Sequence, residues 1–167
     1  MKRMELPLKS LGDAIEEFDY HLGPDFFREM ECADVLSADV QAEISVRRVG
    51  DVFGLNIAVS GAIGIVCDRC LEQMSHKVDT TYSVSVKFGQ EYDDSDDNVV
   101  IIPQNDNVMD VSRLVYDTIM LTIPLQHVHP DGECDPGMTA KLAAHRAVDV
   151  DDYDPRWAAL KEFKENN

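Results

Sequence analysis

Ile65-Val66-Cys67-Asp68-Arg69-Cys70-Leu71-Glu72, IVCDRCLE, places two thiols three positions apart at the end of an apolar run, in a chain that holds four cysteines. Three readings are open: half of a metal site, a dithiol that cycles electrons, or two small hydrophobes packed at a turn. The residues after the second sulfur decide the fold. A redox CxxC opens a helix, whose N-terminal dipole activates the first thiol. Here the chain returns to period-two alternation, with Val78, Thr80, Tyr82, Val84, Val86 and Phe88 on one side and Asp79, Thr81, Ser83, Ser85 and Lys87 on the other. The doublet is therefore read as the tip of a hairpin, not the start of a helix. Arg69 is the one feature that would lower a thiol pKa locally.

Upstream the same period holds. Leu55, Ile57, Val59, Ile63 and Ile65 share a side, with Gly61 in phase among them as a bulge or a close backbone approach. Before the Gly50-Asp51 turn, Val40, Ala42, Ile44 and Val46 alternate with Gln41, Glu43, Ser45 and Arg47. Three strands joined by short turns predict an antiparallel meander with one apolar face, and that face needs helices to cover it. The expectation is an α+β fold in a single domain over residues 1–167.

The flanks are assigned by local signals. Met4, Leu6 and Leu8 suit a short edge strand, and Ser10 with Asp13 resembles a capping box opening a helix. A second helix is expected from Pro24 to about Cys32, which makes Cys32 a buried helical residue. An acidic loop is expected near 91–98, then an edge strand at Val99–Ile102 ended by Pro103. Asp110 is read as the cap of a helix carrying Val111, Leu114, Val115, Thr118 and Ile119, stopped by Pro124. That helix and a C-terminal one, with Asp154 as cap and Trp157, Leu160 and Phe163 at helical spacing, are expected to cover the sheet. Trp157 is read as a packing anchor. Between them lies a His/Cys loop near 126–137, and after it a helical stretch MTAKLAAHRA.

The formal charge of −17 in 167 residues disfavours whole classes of partner. A polyanion gains nothing from counterion release on a phosphate backbone, and Arg47-Arg48 is too small a cluster to reverse that field. Direct nucleic-acid binding is not expected, and two readings of the acidity stay open: it keeps the protein soluble, or it serves a basic protein, the more natural partner. The basic MKRM start lacks a following apolar h-region, and the most apolar stretch, 54–66, is interrupted and too short to span a bilayer. With sparse cysteines, this points to the cytoplasm and to no membrane.

A CxxC supplies two ligands of a tetrahedral zinc site and needs two more. The loop offers His127, His129 and Cys134, of which His129 and Cys134 are the preferred pair, giving Cys67, Cys70, His129 and Cys134 as candidate metal ligands. A closed set of nitrogen and sulfur donors is structural rather than catalytic. GxSxG, GxxxxGK[ST], HExxH and GxGxxG are absent, the Asp93–Asp97 acids lie in a polar run, and neither histidine has a visible nucleophile to serve. No enzyme activity is expected.

These residues carry a resemblance. A strand ending in CDRCLE, another alternating strand, an acidic loop, the helix DVSRLVYDTIMLTIPL, a His/Cys loop and a closing DPRWAALK together resemble the YceD-like family of large-subunit ribosomal RNA accumulation proteins. The most specific parts are Cys67 to Glu72, Leu121 to Pro124, and Cys134. The resemblance implies a role in accumulation or processing of large-subunit ribosomal RNA and no known catalysis. It carries the family's paired thiols onto Cys67 and Cys70 and its loop cysteine onto Cys134. The expected function is a non-enzymatic ribosome-biogenesis factor acting through a basic ribosomal or assembly protein, with zinc as the candidate cofactor. The alternatives are a thiol-disulfide protein and a zinc-stabilised interaction module unrelated to ribosomes.

Overall fold

Alternating apolar residues form strands longer than the shortest periodic runs require. The computed structural model describes residues 4–12 and 14–145. Its elements are β1 (Glu5–Leu6), β2 (Glu16–Leu22), α1 (Pro24–Glu29), β3 (Ser37–Val49), β4 (Val52–Val66), β5 (Gln73–Gly89), β6 (Asp93–Asp96), β7 (Val99–Pro103), β8 (Met109–Asp110), α2 (Ser112–Met120) and α3 (Pro136–His145). The fold is α+β. A six-stranded sheet runs in the order β2-β3-β4-β5-β7-β6, and β1 pairs separately with β8.

The centre of the sheet is in unbroken register. Ala42 faces Val59, which faces Thr80; Ile44 faces Ile57, which faces Tyr82; Val46 faces Leu55, which faces Val84. A slip of one residue would turn this whole apolar set to water, so burial of one face specifies the pairing. Gly61 sits in phase opposite Val40, at φ 144°. A Cβ there would lie 2.2 Å from the backbone oxygen of Asp39, so the close-approach reading of this glycine is the correct one.

The core face is closed from above by α1 and α2. Phe26 and Phe27 of α1 are buried, and the Phe27 ring lies 6.3 Å from that of Tyr116 on α2. Val115, Thr118 and Ile119 form the buried stripe of α2. At the N-terminal end Met4, Leu6 and Leu8 are buried as their alternation predicts, although only Glu5–Leu6 is strand and Leu8–Ser10 forms a 3-10 turn. Val111 N donates to Met4 O at 2.9 Å, tying this strap to the start of α2.

Several expectations are corrected. The helix expected from Ser10 does not form; β2 takes its place from Glu16, because Phe18, Tyr20 and Leu22 alternate with Glu17, Asp19 and His21 and seven residues pair with β3. Asp13 lies outside the described residues. The acidic loop contains β6, whose backbone pairs with β7 while all four side chains stay exposed; the carboxylates of Asp93 and Asp96 accept from Ser95 N and Asn98 N. With β6 outside it, β7 is not an edge, and it runs parallel to β5, so the sheet is mixed and mostly antiparallel. Asp110 accepts from Ser112 N at 2.9 Å, but Val111 holds the cap position. Cys32 is buried beyond the end of α1 rather than within it. The C-terminal helix and Trp157 lie outside the described residues. Among the described residues no helix is long and apolar enough to cross a membrane.

Candidate metal centre

The hairpin between β4 and β5 holds the first two thiols. Cys67 comes directly after the last residue of β4, and the turn closes twice, by Leu71 N donating to Cys67 O and Cys67 N donating to Glu72 O, both at 2.9 Å. This curls the chain so that Cys67 and Cys70 point the same way. The tight curl puts Leu71 at φ 63°, a conformation that costs an ordinary side chain about 1–2 kcal/mol.

The loop after α2 is docked onto that turn by Asp68. Its carboxylate accepts from His127 N at 2.8 Å and lies 3.4 Å from His127 Nε2, while Asp68 N donates to His127 O at 2.9 Å. These bonds set the loop's depth, and two residues later His129 faces the thiols. Cys134 arrives just before α3, whose first turn Asp135 caps by accepting from Met138 N at 2.7 Å.

Cys67 Sγ, Cys70 Sγ, Cys134 Sγ and an imidazole nitrogen of His129 all lie within 4.8 Å of one another. His129 Nδ1 is 3.3 Å from Cys70 Sγ, and its Nε2 is 3.3 Å from the Gln73 carbonyl oxygen, which accepts the ring proton. Nδ1 is therefore the atom turned to the sulfurs, with the carbonyl fixing the ring as in histidine-ligated metal sites. Tetrahedral zinc, with Zn–S of about 2.3 Å, sets its sulfurs about 3.8 Å apart, so the cluster is of the right size for this ion. All three cysteines are buried, with Met74, Val128 and Met138 packed around them.

The electrostatics favour the anion at the paired thiols, Cys67 and Cys70. Burial pushes the Cys67 thiol up, but the backbone N–H groups of Cys70, His129 and Arg69, with the Cys70 thiol, bring it down to about 6. Arg69 N and His129 N each donate to this sulfur at 3.4 Å. Burial likewise raises Cys70, and the amides of Asp135 and Glu72 outweigh it, leaving it lowered. His129 is raised by its hydrogen bonds with Cys67 and Cys70, against burial. Cys134 is raised by burial and by the neighbouring sulfurs. The Arg69 guanidinium, 4.0 Å from Cys134 Sγ and 3.7 Å from Asp131, places positive charge beside the most anion-averse ligand. A divalent ion would displace the remaining protons from this set.

The four residues singled out from sequence are thus brought together, and His127, the rejected third candidate, is directed at Asp68 instead. Sequence reasoning missed Asp68 and Gln73 as positioning groups. The signal for Asp68 was its place inside the CxxC; Gln73 acts through its carbonyl, which no side chain reveals.

Comparison with curated proteins gives no match, and comparison with solved structures gives none. A family model does match, over residues 55–164, from near the start of β4 past the last described helix and across all four clustered residues. That model describes the large ribosomal RNA subunit accumulation protein YceD, and this chain belongs to that family.

Proposed function

We propose that the protein serves large-subunit ribosomal RNA accumulation as a non-enzymatic assembly factor in the cytoplasm, holding a basic ribosomal or assembly protein. Cys67, Cys70, His129 and Cys134 act in this reading as a structural zinc clasp that fixes the loop before α3 to the β4–β5 hairpin. The observation that carries the reading is the convergence of those four donors within 4.8 Å inside a chain of this family. Four protein ligands leave no open position for substrate, which supports a structural ion over a catalytic one. The formal charge of −17 supports a basic protein over naked RNA, since the acidic field attracts the one and repels the other.

A thiol-disulfide cycle has one feature in its favour, the lowered pKa of Cys67. Against it, β5 rather than a helix comes after Cys70, and a third sulfur and an imidazole crowd the pair. The test is depletion of the protein from cells, with rescue by wild type or by Cys67→Ser. Rescue of the large-to-small ribosomal RNA ratio by wild type alone, with one zinc per purified wild-type chain and none in the variant, is the expected result. An unchanged ratio on depletion would remove the ribosomal assignment, and metal-free wild type with a reversible Cys67–Cys70 bond would move the thiols to redox chemistry.

A further inference from the structure

Leu71 stands out as a residue that stability alone would not choose. Its side chain is 66 % exposed and its backbone lies at φ 63°, so it is disfavoured both in conformation and in hydration. Asparagine or glycine would satisfy the same turn without either cost. The side chain borders a groove of ≈ 460 Å³ whose apolar wall comes from Met120 and Ile123, just past the buried stripe of α2, and from Ile65 on β4. Asp34 and Asp68 stand on its rim. Among the described residues no lysine or arginine lines it. Asp34 has no basic partner among the described residues, whereas Asp68 is already held by His127. A few residues on, Leu121 and Leu125 are also exposed.

We infer that the groove between Leu71 and the end of α2 is a docking site for a basic protein segment that carries an aliphatic anchor. The inference rests on the assembly-factor reading and names the surface that reading lacks. The apolar wall accepts the anchor, and the exposed Asp34 and the net negative field receive lysine or arginine beside it. The same field argues against a second copy of this chain, because two molecules of charge −17 would bring like-charged rims together. It argues equally against RNA.

The test uses the full-length protein, purified with its metal, and a fluorescein-labelled peptide of lysine and arginine with two leucines four residues apart. A matched peptide with both leucines changed to serine is the control. Binding is read by anisotropy at near-physiological salt, with wild type, Leu71→Asn and Asp34→Lys. Leu71→Asn suits the backbone better, so its thermal midpoint and zinc content should match or exceed wild type. The expected result is roughly tenfold tighter binding of the leucine peptide than of the serine peptide to wild type. That preference should vanish in Leu71→Asn, and binding of both peptides should weaken in Asp34→Lys.

Equal binding of both peptides, or a preference that survives in Leu71→Asn, would overturn the groove as a docking site. Failure to bind either peptide, with a wild-type dimer in sedimentation that Leu71→Asn breaks, would overturn it in favour of a second copy. In each case the ribosomal RNA ratio on depletion remains the separate measure of the functional reading. A normal ratio with intact groove binding would sink that reading alone.

Discussion

Ile57 and Cys67 are equally shut off from water, yet what keeps them there differs. Ile57 lies in a broad apolar layer, between Ile44 and Tyr82 in neighbouring strands. Cys67 lies in a small cluster of three sulfurs with two methionines and a valine, beside α3, which has no buried residues. The first region is stabilised by area removed from water, roughly 25 cal/mol per Å². The second has little such area, and its polar backbone must be held by hydrogen bonds and by whatever joins the four donors. Burial alone therefore does not identify the role of a cysteine. Cys32 makes the point: it is buried in the large core, stands outside the cluster of Cys67, Cys70 and Cys134, and shares a hydrogen bond with the Tyr116 phenol.

If the two regions differ in this way, they should fail differently. Ile57→Ala should cost about 4 kcal/mol through the cavity it leaves, seen as a large drop in the urea midpoint of the whole protein. Cys67→Ser should leave the central strands protected while amide exchange in residues 127–145 accelerates by roughly tenfold or more. Equal acceleration in β4 and in that segment would mean the two regions are one cooperative unit. Cys32→Ala should lower stability by about 1 kcal/mol and leave zinc content unchanged. Loss of metal in that variant would break the distinction among the cysteines.

The smallest effect concerns the phenol. Tyr116 is raised to about 12, first by its hydrogen bond with Cys32 and then by burial, so folding favours the protonated form. Its contribution is intact below pH 10 and is lost as the pH climbs through about 12. Ultraviolet titration of tyrosinate should show the highest step disappearing in Tyr116→Phe, with Tyr20, Tyr82 and Tyr92, also raised, still present.

The legible parts of the fold were those where one face is buried and the other wet. That condition holds along β3, β4 and β5, so period-two alternation located them and even the in-phase glycine at 61 had a readable cause. It fails at β6, where every side chain is exposed and only the backbone pairs, which no pattern of residue types reports. At β2 the alternation was present from Glu16, but the cap-like Ser10 drew attention to a helix. The parallel placement of β7 is a matter of topology, invisible in a five-residue run. At the site the residue types and spacing named the four residues that the structure gathers within 4.8 Å, because thiols and imidazoles are scarce in the chain. What escaped was the groove, since an exposed leucine looks ordinary until its backbone angle is known.

The proposed clasp would join residues far apart along the chain: Cys70 and His129 are separated by 59 positions. At ribosomal synthesis rates of about 5–20 residues per second, the paired sulfurs emerge roughly 3–12 seconds ahead of the imidazole, with Cys134 following last. During that interval they are an incomplete chelator in a half-made molecule, open to oxidants and to the wrong ion. If zinc is the proposed clasp, the last piece to close is chemical rather than hydrophobic, and a cell short of zinc would make this protein with its sheet assembled and its fastening undone.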